Sequence, residues 1–259
     1  FRNYRRAALD FDPSCNVIYG ENAQGKTNLL EAIVYLSCGK SPRARTDREL
    51  LGFESERTQL VGHIFSRERA FETEITLARG RRRKMTVNGV PAKNGAALSD
   101  VLHTVFFSPE DLFLIRDGAA ARRRFMDLSL CQLRPRYAGA LEQYAAQAHG
   151  ECSGGREELT LHYETVKTVT DPFAPHAELV SALEEHQRAH HQAELASRLC
   201  LSGPHKDDIA VSVNGRSARQ FCSQGQVRTA ALAMKLADRE IHKNAIGEYP
   251  VMLLDDVLS

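Results

Sequence analysis

Eight consecutive residues, Gly20-Glu21-Asn22-Ala23-Gln24-Gly25-Lys26-Thr27, follow the order G-x-x-x-x-G-K-T. The glycines let the backbone curl so that successive N–H groups face inward, a setting suited to the β-phosphate of a nucleotide. The helix expected behind the loop adds its positive N-terminal end. In that arrangement Lys26 reaches the β/γ-phosphates and the Thr27 hydroxyl ligates Mg²⁺. Gly20 to Asn28 is thus the candidate cofactor segment. By itself it predicts only that a nucleoside triphosphate binds.

Two further stretches bear on the fate of that nucleotide. Val251-Met252-Leu253-Leu254-Asp255-Asp256 is an apolar run closed by two acids, the form of a Walker B motif. A buried strand delivers such carboxylates to the sheet edge where ligands of open α/β sheets bind. Asp255 is then placed to share Mg²⁺ with Thr27. Asp256 would face the γ-phosphate and polarise the attacking water, with Lys26 as its catalytic counterpart. In isolation the pattern serves equally as a helix N-cap or a solvated turn; beside a P-loop the metal-site reading prevails.

Ser223-Gln224-Gly225-Gln226 opens a helical pattern of Val227, Ala230, Ala231, Met234 and Ala237. A plain Ser N-cap is one reading. The other rests on order, because the run lies one helix and one turn ahead of the acids. That layout resembles ABC-type ATPases, whose signature is usually Ser-Gly-Gly-Gln. In that class the signature Ser and its helix N-terminus bind the γ-phosphate of ATP held by the opposite subunit.

The elements that must carry these groups are legible from periodicity. Asn16–Tyr19 reads as a buried strand feeding the loop, and Thr27 to Leu36 as a helix with Leu29, Leu30, Ile33, Val34 and Leu36 at helical spacing. Phe71, Thr73, Ile75 and Leu77 alternate as a half-buried strand. A basic tip, Arg79 to Lys84, leads into Met85-Thr86-Val87 and an Asn88-Gly89 turn, hence a hairpin. His103–Phe107, Leu159–Tyr163, Ile209–Val213 and Pro250–Leu254 read as strands, Asp111 to Tyr144 as helical, and Gln226 to about Lys243 as a long helix. The expected fold is α/β: a two-lobed P-loop head of ABC-ATPase type, with a mixed-sheet ATP-binding lobe and a mainly helical lobe. Residues 1–107 form the first part of the ATP-binding lobe, 108–235 the helical signature lobe, and 236–259 the return with Walker B. From Tyr144 to Gly150 the helical pattern gives way to small residues without a clear turn.

Other residues invite two readings each. Arg79, Arg81, Arg82, Arg83 and Lys84, together with Arg122 and Arg123, are candidate phosphate contacts for DNA binding without sequence preference. A solvated hairpin tip is the plainer reading of the first cluster, and a structural tie between lobes that of the second. Arg43 and Arg45 are either nucleotide contacts or solvated loop arginines. Glu110 is a candidate γ-phosphate sensor or simply the first turn after Pro109. His205 and Asp207 fit either an interface or a surface turn.

Composition excludes several classes. A 259-residue chain with 42% hydrophobic residues can bury a sizeable core. Its net charge of +1 demands no polyanionic partner, so a nucleic-acid surface must be a local patch. Six scattered cysteines without a C-x-x-C pair argue against a zinc ribbon or disulfide framework and for a reducing compartment. The histidines show no metal-ligand spacing. With no apolar run of membrane-spanning length and no visible signal peptide, a cytoplasmic protein without a membrane partner is expected.

With the three motifs in register, the chain resembles the RecF family of bacterial recombination-mediator ATPases, relatives of SMC-type heads. The residues that carry the resemblance include Phe1-Arg2-Asn3-Tyr4, the P-loop through Glu31-Ala32, Phe107-Ser108-Pro109-Glu110-Asp111-Leu112 and Arg122-Arg123-Arg124-Phe125-Met126-Asp127. Ser153-Gly154-Gly155-Arg156-Glu157-Glu158-Leu159, Gly203-Pro204-His205-Lys206-Asp207-Asp208, the signature through Thr229, and Leu253 to Ser259 complete it. The resemblance implies an ATP-dependent homodimer that binds double-stranded DNA or single/double-strand junctions and acts with RecR and RecO. It also implies a role in DNA recombination, replication and damage repair within the SOS response, and a weak DNA-dependent ATPase. It further implies a strand before Phe1, a D-loop beyond Ser259, and a helical arm missing between Tyr144 and Gly150. Two alternatives remain: an SMC-type structural head, disfavoured by the lack of sustained heptads, and a P-loop kinase, which leaves Ser-Gln-Gly-Gln unexplained.

Overall fold

The computed structural model describes residues 1–52, 55–130, 137–172, 174–201, 203 and 206–256. In chain order the helices are α1 (Lys26–Cys38), α2 (Ala96–Ser99), α3 (Phe113–Arg116), α4 (Ala119–Leu130), α5 (Tyr137–Ser153), α6 (His176–Ser197), α7 (Ala218–Phe221) and α8 (Gln224–Ile246). The strands are β1 (Arg57–Ser66), β2 (Arg69–Ala78), β3 (Lys84–Val87), β4 (Val90–Pro91), β5 (Thr104–Phe107), β6 (Leu159–Glu164), β7 (Asp208–Val213), β8 (Arg216–Ser217) and β9 (Val251–Leu254). They fall into two compact units, Phe1–Phe106 with Gly247–Ser259, and Phe107–Ile246. Because α8 runs unbroken to Ile246, the chain re-enters the first unit at Gly247, later than the 236 expected from the sequence.

The first unit is organised by an antiparallel sheet in the order β1-β2-β3-β4. Thr73, Ile75 and Leu77 of β2 are buried while their neighbours are not, as the alternation predicts. Asn88 and Gly89, at φ 49° and 76°, close the β3–β4 hairpin in the left-handed region that Asn-Gly favours. Asn88 also ties back to β2: its N–H donates to the Glu72 carbonyl and its Oδ1 accepts from the Glu72 N–H, both at 2.8 Å. Under the sheet lies a core of Tyr35, Leu36, Leu50, Ile75, Leu77, Met85 and Leu98. Another side of α1 packs Leu30 and Val34 against Leu253 of β9, with Phe106 of β5 alongside.

Two expectations in this unit need correction. Asn16–Tyr19 is not a buried strand: it has no ladder partner among the described residues, and Val17 and Tyr19 are 80% and 90% exposed. Asn16 is taken up in a local turn, where its Oδ1 accepts from the Asp12 N–H at 2.9 Å and its Nδ2 donates to the Asp12 carbonyl at 2.7 Å. Strand β9 forms where expected and pairs with β5. Only Leu253 of it is buried, while Val251 and Leu254 are exposed.

In the second unit α5 and α8 pack along each other. Buried on these helices are Leu141 and Ala145 of α5 and Val227, Ala230, Ala231, Met234 and Ala237 of α8. Tyr137 donates from its hydroxyl to Asp238 Oδ1 at 3.1 Å. The stretch from Tyr144 to Gly150 lies inside an uninterrupted α5, so no break in the chain marks that junction. Strands β6, β7 and β8 form an antiparallel sheet. Asn214 and Gly215, at φ 51° and 71°, turn β7 into β8. Here too Asn214 exchanges two 2.8 Å bonds, with the backbone of Glu158. Helix α6 has no buried residue.

Candidate nucleotide-binding site

The P-loop enters α1 through three left-handed or glycine-only conformations: Gly20 at φ 148°, Ala23 at 65° and Gly25 at 102°. A Cβ on Gly25 would also lie 2.7 Å from the end of the Asn3 side chain and force it to move. Helix α1 begins at Lys26 with no side-chain cap on its first turn and no acid within it. Its leading N–H groups and positive end therefore suit an anion. The Lys26 ammonium is bent over the loop, donating to the Gly20 carbonyl at 2.5 Å and the Glu21 carbonyl at 2.7 Å. Gly20, Glu21, Asn22, Ala23 and Gln24 are exposed, whereas Gly25, Lys26, Thr27 and Asn28 are half-buried.

A scaffold that local sequence patterns do not announce holds this loop from behind. Tyr4 donates its hydroxyl to the Gly25 carbonyl at 3.3 Å, and Asn3 Nδ2 donates to the Gln24 carbonyl at 3.2 Å. Asn28 Nδ2 donates to Asn3 Oδ1 at 2.9 Å, and Arg43 donates to Asn28 Oδ1 at 3.1 Å. Next to them Arg2 grips the fully buried Glu31 with two bonds of 2.7 and 2.9 Å, and Ser41 donates to the same carboxylate at 2.5 Å. The Phe1–Tyr4 motif and Glu31 were visible only as family-specific residues; their spacing gives no hint that they meet the loop. Arg43 acts through Asn28 and Glu31, 3.7 Å away.

Walker A and Walker B belong to the same unit, and one apolar cluster joins them. Leu30, one turn beyond Thr27, and Leu253, two residues before Asp255, are buried together. Asp255 is half-buried, and Asp256 is exposed at φ 51°. Thr27 and Asp255 are hard oxygen donors, the chemistry that Mg²⁺ takes alongside phosphate oxygens. The donor set of loop amides, Lys26, Thr27 and Asp255 fits a magnesium nucleotide.

The signature lies in the second unit, and there Ser223 does cap a helix. Gln226 N–H donates to Ser223 Oγ at 3.3 Å while Ser223 N–H donates to Gln226 Oε1 at 2.9 Å, a reciprocal capping box. Ser223, Gln224 and Gly225 are exposed at the head of α8, and Gln226 is half-buried. Capping leaves the Ser223 O–H proton uncommitted to the helix.

Two arginines expected at DNA do internal work instead. Arg122 is 8% exposed, holds Asp208 with two 2.7 Å bonds and donates to the carbonyls of Leu114 and Asp117. Burial raises the Asp208 pKa, but the Arg122 bonds and charge outweigh it and leave that carboxyl below its ordinary value. Arg83 turns in from the hairpin tip to donate to the Gly39 carbonyl beside Tyr35 and Asp47. Arg123 reaches the Asp207 carbonyl at 3.2 Å. Arg79 lies 3.6 Å from Glu56, while Arg81, Arg82 and Lys84 are exposed. Asp207 is buried within its unit and accepts from the Tyr163 hydroxyl, whose pKa burial pushes up strongly. Glu110 is exposed in the short 3-10 turn after Ser108. His205 lies outside the described residues.

A family model described as an AAA domain matches residues 1–123. The DNA replication and repair protein RecF of Bacillus subtilis (strain 168) is 33% identical over 315 aligned positions, covering all of this chain and 84% of that protein. That alignment is longer than the 259 residues here, so the relative carries residues within the matched region that this chain lacks. RecF of Clostridium kluyveri is 32% identical over 310 positions, with the same coverage. Among solved structures, the recombination mediator protein RecF-ATP in the RecFOR pathway superposes with a TM-score of 0.91 at 28% identity, over all of this chain and 83% of that one. An SMC head bound to the C-winged helix domain of ScpA superposes at 0.51 and 13% identity over 92% of this chain and 81% of that one, a likeness of fold alone. The fold is that of a P-loop ATPase head of the ABC type.

Proposed function

Since the chain belongs to the RecF family of DNA replication and repair proteins, we propose that it is an ATP-dependent, DNA-binding recombination mediator whose working form is a homodimer. The observation that supports this reading is that one chain carries both a P-loop and an exposed serine at the head of a long helix. A P-loop presents Lys26 and an uncapped helix end, and an exposed Ser223 heads a long helix.

In this reading the loop amides and Lys26 hold the β- and γ-phosphates, Lys26 exchanging its carbonyl partners for phosphate oxygens. Thr27 and Asp255 hold Mg²⁺. Bound ATP supplies the γ-phosphate that links two copies, and its hydrolysis removes that link. Ser223 donates its hydroxyl proton to the γ-phosphate held by the second copy, with Gln224, Gly225 and Gln226 shaping the helix end around it. Asp256 orients the attacking water and accepts its proton. An Asp reaches less far than the Glu usual in ABC enzymes, in keeping with a weak, DNA-dependent ATPase built for switching. Arg79, Arg81, Arg82 and Lys84 meet DNA phosphates in a duplex or a single/double-strand junction. RecR, with RecO, is the expected partner, and the cytoplasm the expected compartment.

The test is DNA binding with ATP, ADP and a non-hydrolysable ATP analogue across a salt series, alongside sedimentation of the protein alone. Lys26→Ala should lose ATP binding, dimerisation and DNA retention together. Ser223→Arg should keep ATP binding by the monomer and lose dimerisation. An ATP-dependent dimer of Ser223→Arg would sink the model, as would DNA binding indifferent to nucleotide.

A further inference from the structure

The segment Ser153–Leu159 has no role in the mechanism above, yet it is held firmly. Helix α5 ends in Gly154 and Gly155 at φ 63° and 72°. The Gly155 N–H donates to the Gly150 carbonyl at 2.8 Å, and Arg156 Nε donates to the Ser153 carbonyl at 2.9 Å. Four residues after Ser153, Glu157 stands between two groups distant in sequence. Its Oε1 accepts from Gln226 Nε2 at 2.9 Å, and its Oε2 lies 3.7 Å from His149 Nε2. His149 is fully buried, and neither ring nitrogen has a hydrogen-bond partner among the described residues.

Gln226 is thereby committed at both ends. Its Nε2 donates to Glu157, and its Oε1 accepts from the Ser223 N–H at 2.9 Å. A carboxylate only accepts, so it fixes which way the Gln226 amide faces. Turning that amide over would set Oε1 against Glu157 and Nε2 against the Ser223 N–H, breaking both bonds.

We infer that Glu157 is a positioning residue for the signature, orienting Gln226 and through it Ser223 toward the nucleotide of a second copy, with buried His149 backing the carboxylate. This rests on the role of Ser223 proposed above. It assigns the Ser153–Leu159 segment a task at the dimer site without contact to nucleotide.

The experiment compares ATP-driven dimerisation by sedimentation velocity with binding of a fluorescent ATP analogue by the monomer. The variants are Glu157→Ala, Glu157→Gln, Gln226→Glu and the swap E157Q/Q226E, with Ser223→Arg as reference. Losing one hydrogen bond to a charged group should weaken dimerisation by about tenfold in Glu157→Ala while leaving ATP affinity alone. Glu157→Gln still offers an amide oxygen to Gln226 and should stay near native strength. Gln226→Glu sets two carboxylates face to face and should fail, whereas the swap restores one donor and one acceptor and should recover. The inference is overturned if Glu157→Ala dimerises normally, if Glu157→Gln is as weak as Glu157→Ala, or if the swap does no better than Gln226→Glu. Should Ser223→Arg still dimerise on ATP, it is the function of the signature that fails, a separate result.

Discussion

Glu31→Ala is the substitution whose cost follows most directly from geometry. The carboxylate is fully buried and accepts two bonds from Arg2 and one from Ser41. Removing it leaves a guanidinium and a hydroxyl without their acceptor in a protein interior. Deleting one member of a buried pair costs ~3–5 kcal/mol. Arg2 keeps 21% of its side chain in solvent, so water restores part of its solvation and the lower end, about 3 kcal/mol, is expected. For a chain of this size that is a fall of roughly 10 °C in Tm. Arg2 adjoins Asn3 and Tyr4, which hold Gln24 and Gly25, so ATP affinity should fall several-fold with it. Thermal unfolding by circular dichroism and titration with a fluorescent ATP analogue read the two effects. The double variant R2M/E31A, which also removes the guanidinium that Glu31 holds with two bonds, should be more stable than Glu31→Ala alone. A Tm within about 2 °C of the native protein, or a double variant less stable than the single one, would refute the reasoning.

Replacing Arg81, Arg82 and Lys84 by Ala should lower the slope of log affinity for DNA against log salt by about one for each phosphate no longer neutralised. In the same assay Arg122→Lys should leave the slope unchanged while lowering Tm, because Arg122 is spent on Asp208. For His242, burial lowers the pKa, but the bonds and charge of Asp238 outweigh it and raise the folded value above the ordinary imidazole range. Its contribution to stability is thus full below pH about 6.5 and lost as pH rises through the folded value. Urea midpoints should decline over that window in the native protein and less so in His242→Gln; equal declines would remove His242 as the cause.

What could be read in the sequence follows the range of the interactions involved. The β2 alternation, the Asn-Gly turns of the two hairpins, α8 and the P-loop are local patterns, and each forms where its residues predict. Asn16–Tyr19 has strand composition, but a strand exists only with a partner, and here Asn16 bonds to Asp12 instead. Arginine runs announce a charged surface without saying which member folds inward; Arg83 and Arg122 do so because a carbonyl in one case and Asp208 in the other await them. The bracing of Gly25 by Tyr4 and of Gln226 by Glu157 joins residues 21 and 69 positions apart. Periodicity cannot register interactions at such separations.

The Asn-Gly turns of the two hairpins also bear on how the chain ages chemically. Asparagine before glycine is the sequence in which the side-chain carbonyl carbon is most open to attack by the next backbone nitrogen, a closure that ends in isoaspartate. Asn88 and Asn214 each hold their Oδ1 on a backbone N–H at 2.8 Å, that of Glu72 and of Glu158, which keeps the amide from rotating toward that nitrogen. At these two positions ageing is therefore slowed by the same bonds that shape the hairpins. Isoaspartate at Asn214 would lengthen the turn by one backbone atom and disturb Glu158, the neighbour of Glu157. Slow deamidation there would loosen the hold of Glu157 on Gln226 at the head of α8.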